Sequence, residues 1–140
     1  MGTRSITVVK DEQGNKIIEM YRQMDGYPSG MGQDLLDFVN KFIVTSGIAI
    51  GEERITANGM ACFAAQLVAY FKSGAGGFYL HAPTTDFKSK KQYYKAYYAE
   101  YYYEITQDDE HMKVRCWDTW TGSEIQTDPF GKKFMEQEEQ

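Results

Sequence analysis

"YRQMDGYPSGMGQDLLDF", residues 21–38, is the stretch on which the fold turns. A run of mixed polar and apolar residues stops there. Gly26, Pro28, Gly30 and Gly32 follow, and an amphipathic pattern opens directly behind them. Glycine supplies positive φ and proline fixes the turn after it, so the stretch predicts a tight corner leading from a strand into a helix. Amides at a helix start are unpaired and lie at the positive end of its dipole, so the same corner can also hold a phosphate or carboxylate. Both readings are open on the sequence. Gly-Met-Gly is followed by no Gly-Lys-Ser/Thr, and the βαβ context of a dinucleotide fingerprint is missing.

N-terminal to the corner, residues 4–23 read as a β-hairpin, with Gly14 in the turn able to take φ > 0. C-terminal to it, Leu35, Leu36, Val39, Phe42 and Ile43 stand at helical spacing, with Asp34 and Asp37 early in the run. Residues 44–57 form a connector whose structure the pattern leaves open. A second helix is expected from about residue 59, capped by Asn58, stopped by Gly74 and apolar enough all round to be the central buried one. "GGFYLHAP" reads as a short strand. "TTDFKSKKQ" reads as a loop, and residues 93–99 as helical or irregular. A strand through Ile105 follows, then a turn at "QDDE" and a partner strand "HMKVRCWDTW". Trp117 and Trp120 are expected in the core and at its edge.

Strands before two helices, then strands again, predict an α+β fold: a mostly antiparallel sheet of about five strands with two helices packed on one face. Residues 1–128 are read as a single domain, and 129–140 as a frayed tail.

Composition narrows the function. The chain has 140 residues and a net charge of −5, which disfavours duplex nucleic acid as a partner because no cationic field is available to release counterions. Cys62 and Cys116 read as free thiols of a reducing compartment, and with His81 and His111 they match no zinc spacing, so neither a metal nor another cofactor is expected. "MGTRSITVVK" lacks the layout of a signal peptide and fits a myristoylation pattern only superficially. No apolar run approaches the ~20 residues that cross a bilayer, so a cytoplasmic location without membrane contact is expected.

The candidate ligand-binding residues are those of the corner: Asp25, Gly26, Tyr27, Gly30 and Gly32, with Arg4 and Arg22 brought near by hairpin pairing. Arginine's planar fork suits phosphate, while the plainer reading makes each an exposed residue or a partner of Asp25 or Glu19. Eleven tyrosines are present, many of them in residues 93–103. Of these, Tyr97, Tyr98 and Tyr101 are candidates for stacking or for a protein interface, against the reading that they cover the sheet. Asp25 or His81 would be the general base of any phosphodiesterase, but no nucleophile–base–orienter trio appears by spacing, and no catalytic residue is assigned.

Three stretches carry a resemblance: "MGTRS" at 1–5, "YRQMDGYPSGMGQDL" at 21–35 and "NGMACFAAQLVAYFKSGAGGFYL" at 58–80. Together they resemble a family of small proteins from phages, prophages and other microbial genomes. Its members open Met-Gly-Thr-Arg-Ser and carry Asp-Gly-Tyr-Pro-x-Gly-x-Gly, usually after an aromatic residue. The resemblance covers a little under half of the chain. Met24 stands where an aromatic ring is usual and Gln23 where many members have His, so a function resting on that ring or that His does not transfer. The resemblance implies a phage accessory protein acting on host processes or defences. The leading expectation is a non-catalytic homo-oligomer that binds an anionic small molecule such as a nucleotide signal. The alternatives are a protein–protein inhibitor of a host enzyme and, third, a small phosphodiesterase or hydrolase.

Overall fold

A computed structural model describes residues 2–45 and 55–135. Strands β1 (Ser5–Lys10) and β2 (Lys16–Arg22) pair antiparallel, from Ser5 opposite Arg22 to Val9 opposite Ile18. Gly14 takes φ +86° in their turn, and the Asp11 carboxylate accepts the amides of Gln13 and Asn15 there. The Gly-rich corner is a π-helical turn, Pro28–Gly32, that continues into α1 (Gln33–Val39).

Helix α1 is shorter than its pattern. Phe42 and Ile43, which stand at helical spacing, belong instead to β3 (Phe42–Thr45), paired in parallel with β4 (Ile55–Asn58). In so short a run the burial of Phe42 and Val44 fits period 2 as well as period 3.6, and strand pairing at a distance decides between them. The connector therefore holds strand residues at both ends, while 46–54 lie outside the described residues.

Helix α2 (Gly59–Phe71) buries Met60, Phe63, Ala64 and Leu67 along one stripe. It is a one-faced helix rather than one buried all round. Ala61, Ala65 and Ala69 make the pattern look apolar, yet they face outward at little cost because alanine exposes only a methyl group. Asn58 sits at the N-cap but makes no side-chain cap bond; Glu12, from the β1–β2 turn, accepts the Met60 amide at 3.4 Å. The helix ends at Lys72 in an extended conformation, so Gly74 is not its stop. Glu12→Ala should lower stability by about 0.5–1 kcal/mol, and by less at high salt, as thermal melts at two ionic strengths would read.

The remaining elements are β5 (Phe78–His81), α3 (Lys91–Tyr97), β6 (Tyr101–Asp108), β7 (His111–Asp118) and β8 (Glu124–Ile125). The main sheet has six strands in the order β5-β2-β1-β6-β7-β8, antiparallel except where β1 meets β6. Its mixed α+β, mostly antiparallel character is as expected, with one strand more. Helices α1 and α2 cover one face, where Leu35, Phe38, Phe63 and Leu67 meet Val9, Tyr103, Ile105 and Cys116. The third helix covers the opposite face: Tyr93 packs there with Ile6, Val8 and Tyr102.

At the β5 edge the Lys72 ammonium donates to the carbonyls of Gly76 and Phe78, which blunts that edge against pairing with another chain. Phe134, in the 129–140 segment expected to fray, bridges back to Thr127, and its ring is 7% exposed against Tyr103; 136–140 lie outside the described residues. Cys62 and Cys116 are both free, and burial pushes the Cys116 thiol up. Among the described residues no helix is long and apolar enough to cross a membrane, and no cluster of His, Cys, Asp and Glu is arranged to hold a metal.

Candidate functional site

The corner is closed on itself. Asp25 turns the chain with φ +60°, and its carbonyl accepts the Met31 amide at 2.8 Å. Gly30 and Gly32 both donate to the Tyr27 carbonyl, at 2.9 and 3.4 Å, and Gly26 donates to Thr3 at 2.8 Å. The amides expected to lie bare at Gly30 and Gly32 thus have partners, and an anion there would have to displace them; the positive φ expected of Gly26 falls on Asp25 instead. The glycines are required by close approach: a Cβ on Gly26 would stand 2.9 Å from the Ser5 nitrogen, and one on Gly32 would stand 2.8 Å from the Phe134 ring. Tyr103 completes the corner by donating its hydroxyl to the Gly26 carbonyl at 2.7 Å, out of contact with water.

The arginines do not converge as a fork. Arg22 is opposite Ser5 rather than Arg4, its guanidinium donates to Asp34 at 3.0 Å, and it lies over the Phe78 ring. Its partner is neither Asp25 nor Glu19. The Asp25 carboxylate accepts the Tyr27 hydroxyl at 3.2 Å. His81 is opposite Glu19, toward the other end of the β2–β5 ladder from Asp25, and its ring lies 4.8 Å from that of Tyr97. The two candidate bases are not brought together.

A polar network that the spacing does not reveal ties α3 to the sheet. Glu19 is 0% exposed. One of its oxygens accepts the amide and hydroxyl of Thr84, at 3.2 and 3.0 Å, and the other accepts the Tyr97 hydroxyl at 2.9 Å. Lys16 closes the ring, donating to the Thr84 carbonyl and to the Tyr93 hydroxyl. Burial first, then the bond to Glu19 and its charge, push the Tyr97 hydroxyl up to about 12. Every member is satisfied within the chain, so the network pins structure.

An open aromatic site lies elsewhere, where β6 begins beside the end of β7. Tyr94, Glu100, Tyr101, Asp118 and Trp120 line a cavity of about 360 Å³. Tyr101 and Asp118 are register partners, and the chains on either side are fastened together. The Thr119 amide donates to the Glu100 carbonyl at 3.0 Å, and the buried Thr119 hydroxyl donates to that of Ala99 at 2.5 Å. The Asp118 carboxylate accepts the amides of Trp120 and Thr121, at 2.8 and 3.2 Å, which holds Trp120 outward with 71% exposure. Trp120 is therefore a surface ring and not a core-edge one. A tryptophan in Asp-Thr-Trp-Thr-Gly, inside a turn that Gly122 closes with φ +78°, is the signal that marks it.

Tyr94 meets Trp120 edge-to-face at 5.4 Å and Tyr98 at 6.2 Å. Tyr98 ends α3 in the left-handed region, φ +56° and ψ +24°, and is 65% exposed. Of the expected trio, Tyr98 and Tyr101 border this groove, while Tyr97 turns away to Glu19. Comparison with protein-family models, with curated proteins and with solved structures gives no match. The groove is thus read from its own geometry.

Proposed function

We propose that the chain is a phage-type accessory protein that acts by binding rather than turnover, and that it docks a host protein on the Tyr94–Tyr98–Trp120 groove. The observation that carries this reading is Tyr98. A bulky residue at positive φ costs about 1–2 kcal/mol, which glycine or asparagine avoids, and such strain collects at functional sites. Here it holds an aromatic ring in water, 6.2 Å from the half-buried Tyr94 ring, which itself lines the cavity and meets the exposed Trp120 ring. Exposed Tyr and Trp at the centre of a patch are the usual anchors of an interface.

The test exploits that strain. Tyr98→Gly should raise stability by about 0.5–1 kcal/mol in urea melts, while weakening capture of the host partner. Trp120→Ala should weaken capture about 30-fold, as for an anchor worth about 2 kcal/mol. Phe130→Ala, an exposed ring outside the groove, should leave it unchanged. A partner retained by both groove variants would overturn the reading.

A second reading, capture of a small anion such as a nucleotide signal, draws on Lys90. Its ammonium lies 4.8 Å from the ring centres of both Tyr102 and Trp117 and has no hydrogen-bond acceptor among the described residues. Burial lowers its pKa, and Lys10, Lys16 and Arg115 add to the effect while Glu104 opposes it. Native mass spectrometry showing a nucleotide mass that Lys90→Met removes would favour this reading.

A further inference from the structure

The cavity between the groove's rings has a charge of its own. Two of its five lining residues, Glu100 and Asp118, are acids, and the rest are aromatic. Asp118 uses one carboxylate oxygen to hold the turn, and its other oxygen has no partner among the described residues. Glu100 is fixed through its backbone, its amide donating to Arg4 and its carbonyl accepting from Thr119, while its carboxylate makes no hydrogen bond among the described residues. Arg4 forms no ion pair with it. Neither does Lys91, whose side chain lies beside Gly122. Both acids act on the same spot: after burial, the charge of Asp118 and, further down, that of Glu100 hold the Tyr101 hydroxyl above its ordinary range.

We infer that this cavity takes one arginine side chain of the docked protein, its guanidinium against the Trp120 and Tyr94 rings and its N–H groups toward Glu100 and Asp118. The inference rests on the docking reading above and names its central contact. Charge complementarity selects a cation: two carboxylates without a cationic partner face a cavity walled by π-systems, in a chain that is already anionic. Geometry selects arginine over lysine. A planar guanidinium stacks on a ring and still offers several N–H groups at its edge, whereas an ammonium is a point charge that keeps its water. Preorganisation supports tight use of the site, because Trp120 and Glu100 are fixed by main-chain hydrogen bonds before any occupant arrives.

The test uses small probes and the whole chain. Nα-acetyl-arginine methylamide is titrated into the protein while the Trp120 indole N–H is followed by NMR, with the uncharged isostere Nα-acetyl-citrulline methylamide as comparison. The arginine probe should shift the Trp120 signal and leave that of Trp117 in place, with a Kd on the order of millimolar for so few atoms. Citrulline should bind at least about fivefold more weakly, and Glu100→Gln should weaken the arginine probe about three- to fivefold, as for an exposed ion pair. Equal response to both probes, or an arginine response at Trp117 alone, overturns the assignment. Docking can fail separately: capture that persists in Trp120→Ala removes the interface whatever the probe does, whereas capture lost in Trp120→Ala with no arginine preference removes only the guanidinium.

Discussion

Glu19→Ala should remove about 3 kcal/mol of stability, a large share of what holds a chain of this size. The carboxylate is fully buried, and its oxygens accept from the amide and hydroxyl of Thr84 and from the hydroxyl of Tyr97. Alanine leaves the Thr84 amide without its acceptor. It also leaves the Lys16 ammonium, 3.7 Å from Glu19 and mostly covered, with no counter-charge in this ion pair. Breaking one partner out of a buried pair is costly for that reason: the survivor remains desolvated. Lys16 keeps the Thr84 carbonyl and the Tyr93 hydroxyl, so the loss falls at the lower end of the range for such pairs. Glu19→Gln retains an acceptor for Thr84 and should lose only about 1–2 kcal/mol. Urea unfolding separates the two, and an alanine variant within 1 kcal/mol of the parent would mean that the network does not hold α3. In the alanine variant the Tyr97 titration should also fall from about 12, because two of its causes depart with Glu19 while burial remains.

This network shows where reading the sequence stops. Lys16, Glu19, Thr84, Tyr93 and Tyr97 meet only because β2 lies beside β5 and the chain returns through α3, hydrogen-bonding residues up to 78 positions apart. Local pattern carries no trace of that meeting. It carries the hairpin well, because Gly14 must take positive φ, and it carries α2, because Phe63 and Leu67 recur at helical spacing. It misleads at Phe42 and Ile43, where four residues are too few to separate the two periods, and it leaves the third helix undecided between helical and irregular, because its tyrosines suit either a buried face or a surface. The groove was half legible. Tyr98 and Tyr101 stand out as candidates by composition, whereas Trp120 joins them through an Asp118 turn that a strand pattern run through to Trp120 hides.

The corner that opens the question supplies the other large effect. Gly30→Ala should cost about 3 kcal/mol, more than an ordinary alanine change in a turn, because the new methyl meets backbone rather than a side chain. A Cβ there would lie 2.4 Å from the Asp25 carbonyl oxygen and 3.0 Å from the Tyr27 ring. The ring can move. The carbonyl cannot do so freely, since it accepts the Met31 amide at 2.8 Å and belongs to a residue already at φ +60°. Shifting it would strand a buried amide or strain Asp25 further. Gly74→Ala is the control: nothing lies within 4 Å of its Cβ position and its φ is not positive, so the change should be neutral or slightly stabilising. Equal urea midpoints for the two variants would show that the corner yields, and would restore room for a ligand among its amides. A large gap between them would mean that four closely placed residues, Gly26, Pro28, Gly30 and Gly32, are there to let the backbone fold on itself, which leaves recognition to the Tyr94, Tyr98 and Trp120 rings beside the start of β6.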